Sequence, residues 1–495
     1  MKAAYSVEEI RRAEHALMAR VPEGTLMRRA AGGLAAACVH LLTEVYGSRV
    51  VLLIGGGANG GDALYAGAVL ARRGARVDAI LAGAKTHPGG LAALRAAGGR
   101  IHDAVGEDSR IMERADLIVD GLVGIGGVGA LRQPQATLAA LAARARARVV
   151  AVDVPSGVDA SSGVVAGAAV RADLTVTFGG YKTGLLVDPG ASHTGTVELV
   201  DIGLGPYLRD PDLTALEASD VAELLPTPAA ESDKYRRGVL GVAAGSAQYS
   251  GAAVLAVGGA LRGGAGLVRF DSTDEPVRQV RAHWPEAVIG PGRVQAWVIG
   301  PGFGTGRQSL ERLRAVLDSD VPVLVDADAL TLCAADPTLL DRPAPTLITP
   351  HAGELARLLG ESREFIEGNR LEAAGRAAAE LGATVLVKGS TTLIAQEGHA
   401  VRVNLTGTPW LAAGGTGDVL SGLAGALLAG GLSAYDAASA AAYLHGLAGR
   451  IAASGDGKSS APITAGDVLA ALPAAIRSVR DASTFGAPAR RPAQT

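Results

Sequence analysis

The chain has 495 residues, 48% of them hydrophobic but only 3% aromatic, and a formal net charge of −3. Such a length suits roughly two to four domains, with cores of Ala, Val and Leu, while mixed charge without a basic face or stripe excludes the electrostatic footprint of a nucleic-acid binder. The charged start Ser6-Val7-Glu8-Glu9-Ile10-Arg11-Arg12 excludes a signal-peptide core, and Asp418 with many glycines interrupts the most apolar stretch, so no membrane span is expected.

Ser6 reads as an N-cap, with Glu9 completing a capping box for a helix to about Met18, and a second helix is expected over 26–46. Short apolar runs then alternate with amphipathic segments. Residues 50–55, 77–81, 117–120, 149–154 and 174–178 read as buried strands, with helices over 61–73, 90–97 and 135–146 and a closing strand at 197–200. This alternation predicts an α/β class and an N-terminal, Rossmann-like parallel sheet with helices on both faces. Periodicity weakens from 205 to 237, around Pro206, Pro211, Pro226 and Pro228, which divides the chain into domains 1–215 and 216–480. A second alternating series starts at Val239, and residues 481–495 are expected to form a flexible tail. Cys38 and Cys333, far apart in different domains, suit a reducing, cytoplasmic setting rather than a disulfide or a metal site.

In the second half, Gly414-Gly415-Thr416-Gly417-Asp418 opens an apolar helix expected over 418–428. Glycines let a ligand approach the backbone, and unpaired N–H groups at a helix start favour an anion. There Asp418 can act as a general base towards a hydroxyl being phosphorylated; as an isolated motif, the same residues make a turn with a helix cap. Lys388-Gly389-Ser390-Thr391-Thr392 follows a strand at 384–387 and offers a cation, small residues and hydroxyls for nucleotide phosphates. His351, in Thr349-Pro350-His351-Ala352-Gly353-Glu354, reads first as a structural cap and second as a ligand contact. Gly300-Pro301-Gly302-Phe303-Gly304 ends a strand where an open α/β sheet places its crevice.

In the first half, the strand at 50–54 runs into Gly55-Gly56-Gly57-Ala58-Asn59-Gly60-Gly61-Asp62 and then a helix, a phosphate or dinucleotide cradle without the usual glycine spacing. Asp120-Gly121-Leu122-Val123-Gly124 and Asp153-Val154-Pro155-Ser156-Gly157 follow two further strands. Carboxylates and glycines at three strand ends mark a site; read singly, Asp120 and Asp153 only cap turns.

With Lys234-Tyr235-Arg236-Arg237-Gly238, Arg262-Gly263-Gly264-Ala265-Gly266 and Asp326-Ala327-Asp328-Ala329-Leu330, residues 230–480 resemble the ADP- or ATP-dependent NAD(P)H-hydrate dehydratases, a ribokinase-like α/β family. The resemblance implies that Lys388, Gly389, Ser390, Thr391, Thr392 and Gly417 bind the adenine nucleotide. Ala252, Gly302, His351 and Asp418 would line the hydrated dinucleotide, and Mg²⁺ would accompany ADP or ATP. Ala352, Thr408 and Ala413 stand where that family commonly has Pro, Asn and Thr. With Phe178-Gly179-Gly180-Tyr181-Lys182-Thr183-Gly184, residues 5–205 resemble the NAD(P)H-hydrate epimerases. That implies potassium on the oxygens of Asn59, Asp120 and Ser156. The hydrated dinucleotide would lie on Ala58, Asn59, Gly60, Gly61 and Asp62, on Gly124, Ile125, Gly126, Gly127, Val128, Gly129 and Ala130, and on Asp153. Ala58 and Ala63 replace the usual Asn and Gly.

These resemblances imply a bifunctional enzyme that interconverts the R and S epimers of hydrated NADH or NADPH and dehydrates the S form. Asp418 is the expected catalytic base of dehydration, and Asp153, then Lys182, the acid–base candidates of epimerisation. Small molecules are the expected partners, with no nucleic acid and no membrane, in a homo-oligomer. A ribokinase-like small-molecule kinase joined to a nucleotide-binding module is the rival reading.

Overall fold

The computed structural model describes every residue except 84, 104–107, 456, 458 and 487–495. The chain divides into two compact units, one spanning Ala3–Leu213 and the other running from Thr214 onward together with Met1 and Lys2.

Strands β1 (Lys2–Tyr5), β2 (Arg49–Ile54), β3 (Arg76–Leu81), β4 (Arg100–Asp103), β5 (Leu117–Gly121), β6 (Arg148–Val152), β7 (Leu174–Phe178), β8 (Tyr181–Lys182) and β9 (Thr196–Val200) follow one another along the first part of the chain. Seven of them form a sheet ordered β4-β3-β2-β5-β6-β7-β9, parallel throughout. β1 pairs with β8 in parallel, Tyr5 opposite Lys182. The run Val50–Ile54 is apolar at every position because both faces of the sheet are covered. Val50, Leu52 and Ile54 enter one core with the helices Thr25–Leu41 and Ala58–Arg72, while Val51 and Leu53 enter another with Leu138 and Ala142 of the helix Gln135–Ala142. Strand order reverses between β2 and β5, which opens a crevice at their carboxyl ends.

The helix Val7–Met18 does start after Ser6, but the expected capping box is absent: Ser6 makes no side-chain cap bond, and Glu9 binds the Arg12 guanidinium and the Arg209 amide. The Ser6 amide that Glu9 would have bound donates instead to Asp212 Oδ2 at 2.7 Å. The second helix stops at Leu41, short of the expected 46, and the Gly-rich turn after β2 is already helical from Ala58.

In the second unit, β10 (Leu213–Ala215) stands at the division, and β11 (Val239–Ala243), β12 (Leu267–Asp271), β13 (Val288–Ile289), β14 (Ala296–Ile299), β15 (Val323–Val325), β16 (Thr346–Ile348) and β17 (Thr384–Val387) come next. The last seven form a parallel sheet ordered β13-β12-β11-β14-β15-β16-β17, with its switch point between β11 and β14. Antiparallel β18 (Thr392–Ala395) and β19 (Val401–Asn404) extend it beyond β17. Residues 481–486, expected to begin a tail, continue the helix Ala465–Gly486, because no breaker follows Val479 before Gly486 and Pro488. The remaining tail, 487–495, lies outside the described residues. Among the described residues no helix is long and apolar enough to cross a membrane.

Two helices of this unit, Ser250–Arg262 and Thr416–Ala429, meet backbone to backbone. A Cβ on Gly422 would stand 2.0 Å from the Ala256 carbonyl oxygen, and one on Gly259 would stand 2.4 Å from that of Val419. Gly422→Val should therefore force the helices apart and lower unfolding stability by about 1–3 kcal/mol. Gly375→Ala, where an added Cβ meets nothing within 4 Å on the exposed face of the helix Arg370–Leu381, should raise it by about 0.5–1 kcal/mol. Denaturant midpoints of the two variants check both signs.

Candidate active sites

Because the strands of each sheet run parallel, their carboxyl ends share one edge, and the sequence motifs gather there. In the first unit a cleft of about 1330 Å³ opens at the β2/β5 switch point. Ala58, Asn59, Asp62, Gly124, Ile125, Gly126, Gly127 and Asp153 line it. Gly60 and Gly61 are buried in the adjoining helical turn, while Val128, Gly129 and Ala130 line a smaller hollow of about 240 Å³. The helix Val7–Met18 adds Arg11, Glu14 and Met18 to the cleft wall, which sequence reading did not find. They lie at i, i+3 and i+7, on the stripe beside the core-facing one of Ile10, Ala13 and Leu17.

Asp153 stands just past β6 with φ of 65°, a left-handed conformation that Asp tolerates better than most residues. Its Oδ1 accepts from the Thr177 hydroxyl at 3.0 Å, the Phe178 amide at 3.1 Å and the Lys182 ammonium. Lys182 is only 1% exposed and also donates to Thr177 Oγ1 at 3.0 Å and the Phe178 carbonyl at 2.9 Å. All three of its protons are thus engaged within the protein. Asp62 is buried with Oδ1 lacking a hydrogen-bond partner among the described residues. Burial, then Asp153 and Glu14, hold its pKa well above the usual carboxylate range, against the pull of Lys182.

Asp120 ends β5 fully buried. It accepts from the Ser156 hydroxyl at 2.6 Å, the Ser156 amide at 2.8 Å and the Leu122 amide at 3.3 Å. Burial pushes its pKa up to about 6 despite those bonds, and no basic side chain among the described residues pairs with it. Asn59 lies against the same loop, its Oδ1 3.1 Å from where a Cβ on Gly124 would be and its Nδ2 buried without a partner. Carboxylate, hydroxyl and amide oxygens around an uncompensated charge are the donor set of a hard cation.

In the second unit Asp326, just past β15, is the hub. Its Oδ1 accepts from Lys388 Nζ at 2.8 Å and its Oδ2 from the Ser421 hydroxyl at 2.6 Å. Lys388 also faces Glu354 at 3.7 Å. Burial works to lower the ammonium's pKa, but Asp326, Glu354 and Asp418 outweigh it and keep it raised. The Arg370 guanidinium donates to the carbonyls of Val387, Lys388 and Thr391, fixing the loop that carries Gly389 and Ser390 at the surface and Thr391 and Thr392 at the start of β18. Neither Asp326 nor Arg370 was singled out as a site residue from sequence. The helix Thr416–Ala429 begins two residues before its expected start, which puts Gly417 and Asp418 in its first turn. A Cβ on Gly417 would lie 3.7 Å from Lys388 Nζ. Burial, then Asp326 and Asp328, push Asp418 up to about 7, with Lys388 opposing.

His351 is a cap: Nδ1 accepts from the Gly353 and Glu354 amides at 3.0 and 3.2 Å, and Glu354 Oε2 answers the His351 amide at 2.7 Å. Burial pushes its imidazole pKa down. Its side chain stays 56% exposed, so capping and ligand contact are compatible. Ala252 and Gly302 meet at the β11/β14 switch point, where a Cβ on Gly302 would stand 2.7 Å from that of Ala252.

Two parallel-sheet units, each with buried acids at its strand ends and one with an anion-ready helix tip, define a two-site α/β enzyme. A family model described as NAD(P)H-hydrate dehydratase matches residues 240–470, and one described as YjeF-related protein N-terminus matches 23–184. The bifunctional NAD(P)H-hydrate repair enzyme Nnr of Mycobacterium leprae is 45% identical over 487 residues, covering 96% of this chain and 99% of that one. Its namesake from Mycobacterium tuberculosis (strain ATCC 25618 / H37Rv) is 47% identical over 88% of this chain and 91% of that one. A crystal structure of ADP/ATP-dependent NAD(P)H-hydrate dehydratase from Bacillus subtilis, co-crystallised with ATP/Mg²⁺, is 30% identical, with a TM-score of 0.50 over 54% of this chain and 98% of that one. The chain belongs to the family of bifunctional NAD(P)H-hydrate repair enzymes.

The Lys182–Asp153 pair generates a prediction of its own. Lys182→Met strands a buried carboxylate and should destabilise the first unit by about 3–5 kcal/mol, with part of the loss recovered when Asp153→Asn is added. Denaturant unfolding checks it; a loss below about 1 kcal/mol in the single variant would count against the pair as the structural tie.

Proposed function

We propose that this chain repairs hydrated NADH and NADPH, interconverting the two epimers in the first unit and dehydrating the S epimer in the second at the expense of ADP or ATP. The observation that carries the reading is Asp418 in the first turn of the helix Thr416–Ala429, beside Lys388 and a row of helix-start amides. Asp418 takes the proton of the substrate hydroxyl as its oxygen attacks the terminal phosphoryl group of the nucleotide. The amides of the helix start stabilise the charge that develops on that group. Phosphate then leaves the carbon, a ring proton is lost, and the double bond returns. Lys388 with Gly389, Ser390, Thr391 and Thr392 holds the nucleotide, Gly417 adds an amide, and Ala252, Gly302 and His351 line the dinucleotide. Mg²⁺, when bound with the nucleotide, neutralises phosphate charge.

In the first unit the hydrated dinucleotide lies along Ala58–Asp62 and the loop 124–130, in a cleft larger than the few hundred Å³ of an ordinary ligand pocket. Asp153 faces the reacting carbon as acid–base residue. Lys182, with its protons engaged inside the protein, acts by holding Asp153 in position. Asn59, Asp120 and Ser156 would hold a potassium ion, which supplies fixed positive charge beside the loop 120–124. The reading sets the enzyme in the cytoplasm, with two buried, free thiols, as a homo-oligomer by resemblance alone.

A mixture of both hydrate epimers tests the whole. With ADP or ATP, NAD(P)H absorbance should return completely; recovery of one epimer alone would reject the first-unit reading, and an accumulating phosphorylated product would favour a plain kinase. A base must be ionised to act, so with Asp418 titrating at about 7 the dehydration kcat/KM should fall about tenfold per pH unit below that value and level off above it. Asp418→Asn should retain nucleotide binding, lose at least about 10²-fold in kcat and lose the acidic limb; a near-normal rate removes Asp418 from the role. Exchanging Na⁺ for K⁺ at constant ionic strength should raise the first unit's Tm, and Asp120→Asn should abolish that rise. An equal rise in both proteins would reject the ion site.

A further inference from the structure

We propose that Glu14 is a further acid–base residue of the first-unit reaction, exchanging a proton with the hydroxyl on the saturated ring carbon; the inference rests on the epimerase reading above. The helix Val7–Met18 turns two faces in different directions. Ile10, Ala13 and Leu17 are buried in the core, while Arg11, Glu14 and Met18 line the cleft that Asp62 and Asp153 also line. Arg11 holds its guanidinium over the dinucleotide loop, with Nη2 3.2 Å from where a Cβ on Gly126 would be. One turn on, Glu14 is half-buried and has no hydrogen bond among the described residues. Asp62 Oδ1 is likewise buried, unpartnered and part of the same wall. Glu14 and Asp62, without hydrogen-bond partners in a cleft that Glu23 and the lysine-tied Asp153 also line, are placed to serve a ligand rather than the fold.

The charged and titratable groups facing Glu14 are Arg11 and His15 on its own helix, Lys182 on β8, and Asp153 after β6; Asp62, on the helix Ala58–Arg72, couples to it in turn. Burial raises the Glu14 pKa and Asp153 adds to this, against Lys182, His15 and Arg11. Burial and Asp153 thus favour the protonated form of Glu14, while Asp153 itself is ion-paired with Lys182, the division of labour that acid–base catalysis needs. Glu14 gives its proton to the ring hydroxyl, the carbon–oxygen bond breaks, and water leaves as the ring nitrogen's lone pair forms an iminium double bond. Water then adds to the other face, making the new carbon–oxygen bond, and its surplus proton goes to Asp153. Asp153 then releases that proton to solvent and solvent returns one to Glu14, so nothing is consumed.

The test uses the full chain and follows interconversion of the separated epimers of hydrated NADH without nucleotide. Glu14→Gln should lower kcat on the order of 10²-fold, the ordinary size of a general acid–base contribution, with KM little changed. Glu14→Asp should recover part of the rate. In the parent, kcat should fall on the alkaline side as Glu14 loses its proton, and Glu14→Gln should lack that limb. Matching thermal unfolding curves separate the effect from misfolding, and Glu14→Asp carries the test if the amide does not fold. An unchanged kcat in Glu14→Gln, or a rise in KM alone, overturns the proposal. A parent that fails to interconvert epimers at all sinks the epimerase reading, and the proposal with it.

Discussion

Each unit is organised around one lysine held against a buried aspartate at the end of a parallel strand: the buried Lys182 with Asp153 in the first, the partly exposed Lys388 with Asp326 in the second. A parallel sheet gathers the ends of all its strands on one edge, and both sites concentrate acids there. Without a cation those carboxylates would repel one another in a medium of low polarity. In each unit one of them is ion-paired with the lysine. Asp62 and Glu14 in the first unit and Asp418 in the second have raised pKa values for the same reason, burial first and neighbouring carboxylates next. An ion pair buried this deeply adds little net stability. It does single out one carboxyl group as the lysine's partner and leaves the others to a ligand.

The features legible in sequence are those that strand geometry dictates. Apolar runs such as Val50–Ile54 announce doubly covered strands, and glycine clusters after them announce the turns at the active edge. The helix-start motif at Gly414–Asp418 is readable because a short chain segment carries both the carboxylate and the amides. Glu14 and Arg11 were not legible, because they reach the cleft from a helix more than forty residues before Asn59. Nothing local distinguishes them from the solvated face of an amphipathic helix. Asp326 was visible only as part of a family-like segment; its importance lies in Lys388 and Ser421, 62 and 95 residues further on. The capping box expected at Ser6 fails to form for a comparable cause, since Arg209, one of the groups that draws Glu9 away, is 200 residues distant.

The reading of Lys182 changes with the structure. From sequence it is the second acid–base candidate, after Asp153. Its burial and three internal acceptors favour a supporting role: it donates to Asp153 and opposes the upward shifts of Asp62 and Glu14. His351 shows that the two kinds of role need not exclude each other, since one ring nitrogen caps a helix while most of the side chain remains open.

The helix tip that carries Asp418 must also be held still, and the fold does this from two sides. Close approach of the backbones at Gly259 and Gly422 fixes the helix Thr416–Ala429 along its length. At its first residue, His445 Nε2 lies 2.9 Å from the Thr416 carbonyl oxygen, which can only accept, so that nitrogen carries the proton. Complete burial, helped by Lys388, drives the His445 pKa down to about 4, although the bond to Thr416 opposes this. The ring is therefore a neutral donor at physiological pH. A charged imidazole there would place a second cation near Lys388 and Asp418, and would favour the ionised form of Asp418 at the expense of its basicity. A neutral histidine secures the backbone and leaves the electrostatics of the tip to Lys388 and the amides, as the proposed role of Asp418 as a base near neutral pH requires.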